Sequence, residues 1–84
     1  VLNSPFMVRQ AELLAERLLS EVPAGRDCQR ARIGRAYQRL FGRPPTDAER
    51  ELGLSFLGSD ADSTDRWREY THVLLASNEM LFVD

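Results

Sequence analysis

Three clusters of helix-breaking residues divide this chain: Pro23-Ala24-Gly25, Gly42-Arg43-Pro44-Pro45, and the polar run from Gly58 to Ser63. Proline lacks an amide donor and disfavours helix at the residue before it, while glycine ends helices at little conformational cost. Four segments remain between the breakers, and in each the apolar residues recur at helical rather than strand spacing. The pattern predicts an all-α fold, a compact four-helix bundle or an orthogonal array with short loops, forming a single helical domain over residues 1–84. Short amphipathic helices of this kind pack in either arrangement.

Local signals set the expected helix ends. Ser4 is placed as N-cap of the first helix with Pro5 at its first position, and Pro23 with Gly25 stops it. Met7, Val8, Ala11, Leu14, Ala15, Leu18, Leu19 and Val22 share one face of that helix. A second helix runs from about Asp27, as N-cap, to Phe41, with Ile33, Ala36, Tyr37, Leu40 and Phe41 turned inward and Gly42 as terminator. Gly34 inside it costs roughly 1 kcal/mol relative to alanine and suggests a close helix crossing. Thr46-Asp47-Ala48-Glu49 is a capping-box sequence that opens a third helix, for which Ala48, Leu52 and Phe56 form the expected apolar stripe. Thr64 is the expected cap of the fourth, whose stripe carries Trp67, Tyr70, Leu74 and Leu81. Ser77-Asn78-Glu79 is expected to interrupt that helix and recap a last turn through Phe82, because serine and asparagine compete for nearby backbone groups.

Composition narrows the function classes. Eleven arginines stand against thirteen acidic residues, a net charge of −2, so no global positive field favours a nucleic-acid partner. Uncharged runs such as Val1 to Val8 and His72 to Asn78 fall far short of the ~20 apolar residues of a membrane-spanning helix, so no membrane insertion of this segment is expected. The start carries no basic, apolar targeting signal, which is therefore absent or upstream. Cys28 is the single cysteine, which excludes an internal disulfide, a four-thiolate metal site and covalent haem attachment. All the basic residues are arginines, which suits bidentate pairing with phosphate or carboxylate but follows equally from biased base composition.

Charge is unevenly spread. Through Gly42 the chain has seven arginines and four acids, a balance of +3; beyond it four arginines face nine acids, a balance of −5. Arg32, Arg35 and Arg39 fall opposite the apolar stripe of the second helix, with Arg43 just past its end. These four are the candidate anion-binding residues, for a sulfated or acidic glycan or an acidic protein; the plainer alternative is a solvated face pairing with the acidic second half. Asp60, Asp62 and Asp65 invite a calcium reading, but a loop starting at Asp60 puts Asp65 where glycine should turn the chain and Thr71 where a bidentate glutamate should close the site. His72 is the single histidine, so neither a histidine-pair metal site nor a Ser-His-Asp triad has its partners. No catalytic residue, metal or cofactor is expected. Cys28 reads as a small buried residue, and Trp67 with Tyr70 as a core corner. Phe6 and Leu13, seven residues apart and both off the first helix's apolar face, form with Leu54 a set of candidate docking residues; scattered exposed apolar residues are the plainer alternative.

Three ordered motifs extend over the chain. The first joins Leu2-Asn3-Ser4-Pro5-Phe6 to Gln10-Ala11 and Leu14-Ala15-Glu16-Arg17. The second joins Ala36-Tyr37 to Gly42-Arg43-Pro44-Pro45-Thr46 and Glu49, and the third runs from Leu74 to Asp84. Together they resemble the C-terminal domain of unknown function of planctomycete multidomain proteins. The resemblance implies the end of a larger secreted or envelope-associated chain, periplasmic or extracellular in place, often with a cytochrome-c-like segment upstream. Met7, Ala76 and Met80 depart mildly from that pattern. No catalytic role transfers with it. The expected function is a noncatalytic structural or interaction domain whose partners are other domains of its own parent chain. The alternatives are an anion or acidic-glycan binding module, or an accessory domain of a haem-containing redox or polysaccharide-processing assembly.

Overall fold

The structure is a computed structural model that describes residues 4–59 and 63–81, the last three by backbone only. Four helices follow in order: α1 Pro5–Glu21, α2 Cys28–Phe41, α3 Asp47–Leu57 and α4 Thr64–Leu81, with no strand among the described residues. Local chemistry accounts for most of their ends. Ser4 Oγ accepts from the Met7 amide at 3.1 Å, and Pro5 occupies the first turn of α1. Thr46 Oγ1 accepts from the Glu49 amide at 3.1 Å while Glu49 Oε1 accepts from the Thr46 amide at 2.8 Å, a complete capping box. Gly42 ends α2 at φ 68°, a left-handed conformation that side chains with a Cβ resist.

Several expectations change at the ends and faces. Asp27 stands at the N-cap of α2 but makes no capping bond with its side chain. At α4 the cap is Ser63, not Thr64: Ser63 Oγ accepts from the Arg66 amide at 3.2 Å. The break at Ser77-Asn78-Glu79 does not occur, and α4 continues to Leu81; Ser77 Oγ donates back to the Val73 carbonyl at 3.1 Å, which satisfies the hydroxyl within the helix. Phe82 and the Asp60-Asp62 loop lie outside the described residues, as does the Leu81 side chain. The Ala48-Leu52 row of α3 faces outward, with Leu52 72% exposed, and the buried residues are Gly53 and Leu57. Val8 of α1 is exposed as well.

The core gathers side chains from every helix: Ala15 and Leu18 of α1, Ile33, Ala36 and Tyr37 of α2, Leu57 of α3, and Trp67, Tyr70 and Leu74 of α4. Trp67 and Tyr70 meet edge to face with ring centroids 5.6 Å apart. The most extensive interface joins α1 to α4. Ala11 and Ala15 carry small side chains there, and the buried Thr71 Oγ1 lies 2.8 Å from the Ala11 carbonyl and 2.9 Å from its own helix's Trp67 carbonyl. α2 and α3 run antiparallel: Gln29 Nε2 reaches the Gly58 carbonyl at one end, and Arg43 reaches Glu49 at the other.

The tightest surroundings of a glycine fall at one the periodicity did not single out. A Cβ on Gly34 would meet nothing within 4 Å, so that residue marks no crossing. A Cβ on Gly53 would lie 2.6 Å from the Tyr70 hydroxyl and 3.0 Å from Ile33 Cδ1. Gly53 is the point where α2 and α4 press onto α3.

Candidate functional site

The four candidate anion-binding arginines have diverse surroundings. Arg32 is 1% exposed, so the expectation that it belongs to a surface cluster fails. Its Nε donates to the Val22 carbonyl at 2.7 Å, and its guanidinium lies 5.7 Å from the Trp67 ring centre. Val22 is the C-cap of α1, where unsatisfied carbonyls and the negative end of the helix dipole favour a buried cation. Arg35 and Arg39, one and two turns further along α2, both pair with Glu21, the last residue of α1, Arg35 at 3.4 Å. Thus three of the four clasp the end of α1.

Arg43 works at the opposite corner. It holds both carboxylate oxygens of Glu49, at 2.8 and 2.9 Å, donates to the Pro44 carbonyl at 3.0 Å, and lies 5.6 Å from the ring centres of Tyr37 and Phe41. The guanidinium and the Thr46 amide hold the Glu49 carboxyl far below the ordinary range, at about 2. Burial, with the Glu49 charge nearby, pushes the Tyr37 phenol up. The sequence motif Gly42-Arg43-Pro44-Pro45-Thr46 with Glu49 is therefore a rigid corner between α2 and α3.

The candidate docking residues separate into two groups. Phe6, 69% exposed, and Leu13, 36% exposed, lie on the outer side of α1. Leu54 does not join them: it packs against the core from α3 and borders a depression beside Cys28 and Gln29. Leu13 borders a cleft of about 300 Å³ floored by Leu14, Leu40 and Leu75, with Arg17 and Arg39 on its rim. A second cleft, about 260 Å³, opens between α3 and α4 beside the exposed Leu52 and Val73; sequence periodicity missed it because it assigned Leu52 to the core. Cys28 is buried. Among the described residues no three histidine, cysteine, aspartate or glutamate side chains stand close enough to hold a metal ion, and no helix is long and apolar enough to cross a membrane.

Against the known families, the model of PSD1, proteins of unknown function (DUF1553), matches residues 1–57, a span that contains α1, α2 and α3 in full. The chain belongs to the DUF1553 family. The match takes in the first two of the three motifs, with the Ser4-Pro5 cap and the Arg43-Glu49 corner. In this DUF1553 chain both motifs have architectural roles. No curated protein and no solved structure matches the chain.

Proposed function

We propose that this DUF1553 chain is a noncatalytic helical interaction domain at the end of a larger secreted or envelope-associated bacterial protein. The observation that carries the reading is the outward apolar pair Phe6 and Leu13 on α1, a helix whose other side packs on α4 and α2. Large apolar side chains exposed on one row of a helix, one of them lining a cleft, are surface of the kind protein contacts use. The likeness of the three motifs to planctomycete multidomain proteins supports the larger setting, including a cytochrome-c-like segment upstream. A Cys-x-x-Cys-His haem-attachment sequence in the same polypeptide would accompany that setting.

The test is association of this chain with the remainder of its protein, supplied as a separate polypeptide. Phe6→Ala and Leu13→Ala together are expected to weaken the complex while leaving helicity by circular dichroism unchanged. Equal association with and without the two substitutions rejects these residues as the contact. An anion or acidic-glycan module built on Arg32, Arg35, Arg39 and Arg43 has less support, because one is buried and the others already hold carboxylates.

A further inference from the structure

Residues 6, 10, 13 and 17 recur at the i, i+4, i+7, i+11 spacing that puts side chains in one row along a helix. Phe6 opens this row, Leu13 stands in its middle, and Arg17 closes it. The row spans about 16 Å of helix at 1.5 Å per residue. Beside it lies the cleft floored by Leu14, Leu40 and Leu75, with Gln10, Leu13 and Arg17 on the α1 side and Arg39 across from them. Arg39 shares its charge with Glu21, whereas among the described residues no side chain pairs with the Arg17 guanidinium.

We infer that the Phe6-Leu13-Arg17 row and its cleft dock an acidic amphipathic helix from another domain of the larger protein proposed above, with that helix's apolar side chains against Phe6 and Leu13 and a carboxylate on Arg17. This rests on the interaction-domain reading and adds the chemistry of the partner. Charge complementarity selects an anionic occupant, since among the described residues the Arg17 guanidinium on the rim of the cleft has no side-chain partner, while Arg39 across from it is held by Glu21. Shape selects a helix. The valley is bounded by helices and offers no sheet edge to an extended peptide, and a ridge of side chains three turns long fits a groove between helices. The match between an apolar stripe and a charge one turn beyond it also fixes register.

The decisive experiment titrates the isotopically labelled chain with two helix-constrained peptides and follows backbone amide shifts. Both peptides carry leucines one heptad apart; one has glutamates a turn further on, the other lysines, and each is made with the charged turn at either end to cover both helix directions. The glutamate peptide is expected to shift amides of residues 6–17 and those around Leu40 and Leu75. Phe6→Ser is expected to abolish the effect, and Arg17→Glu to weaken glutamate-peptide binding about tenfold while strengthening the lysine peptide. Equal binding of the two peptides, indifferent to Arg17→Glu, overturns the acidic partner and leaves the interaction-domain reading standing. Shifts centred on Leu52 and Val73 overturn the site. Self-association of the chain through the row, without peptide binding, assigns it to a second copy instead, and an inert row with no binding or self-association removes both this inference and the contact it rests on.

Discussion

Glu49 uses one carboxylate for two tasks, accepting from the Thr46 amide as part of a helix cap and from both nitrogens of the Arg43 fork. Its folded-state pKa of about 2 lies below the ordinary 4.5, so its ionised form favours the folded state. That contribution is fully present above pH ~4.5 and disappears as pH falls towards 2. The pair is partly solvated, which limits the effect to at most ~1 kcal/mol. Glu49→Gln keeps a capping-box side chain but removes the charge. It is expected to flatten the loss of stability between pH 4.5 and 2 in urea melts. An unchanged pH profile would show that the Arg43 pair contributes nothing. Arg32 presents a larger stake: its guanidinium meets the end of α1 and the face of Trp67 inside the protein. Arg32→Ala opens a cavity and leaves the Val22 carbonyl without this donor, at an expected cost of roughly 2–4 kcal/mol in chemical denaturation. A cost below about 0.5 kcal/mol, the scale of surface substitutions, would mean that Arg32 is dispensable.

Two glycines inside helices separate what local propensity explains from what packing explains. Gly34→Ala meets open space and is expected to stabilise by about 0.5–1 kcal/mol. Gly53→Ala has the same helical benefit but drives a methyl against the Tyr70 hydroxyl, which has no hydrogen-bond partner among the described residues, and is expected to destabilise by about 1–3 kcal/mol. Tyr70→Phe removes that oxygen, so it is expected to cost little alone and to recover part of the Gly53→Ala loss. Thermal melts of the double-mutant cycle measure the coupling; additive effects would contradict the close approach. The same elements show what could be read from the chain beforehand. Ser4-Pro5, Thr46 with Glu49, and Gly42 act within a few residues of themselves, so their roles were legible. Gly53 has no side chain for a hydropathy pattern to register, and its row is buried while Ala48 and Leu52 face out. Arg32 follows the same logic. α2 is covered on several sides, so its buried arc widens to the row Cys28, Arg32 and Ala36, where an arginine reads from sequence as solvent-facing. At Ser77-Asn78 the polar side chains leave helix geometry intact, because serine bonds back to its own helix.

At the scale of the whole molecule, α1 is fastened along one face and at one end and presents an apolar row outward. Its inner face packs on α4, and its C-terminal end is clasped by Arg32, Arg35 and Arg39. The strongest electrostatic feature of the sequence is thus largely consumed in holding that helix, while Phe6 and Leu13 stand exposed, as their place off the apolar face of the first helix predicts. A firmly held ridge suits recognition, since little conformational freedom remains to be lost on docking. The measurement that tests this account most directly compares thiol labelling of single-cysteine variants, on a Cys28→Ala background, in this chain alone and in the larger protein proposed to contain it. Phe6→Cys and Leu13→Cys are expected to label quickly in the isolated chain and at least about tenfold more slowly in the intact protein, whereas Leu52→Cys labels alike in both. Equal labelling of Phe6→Cys and Leu13→Cys in the two settings would contradict the docking role of α1.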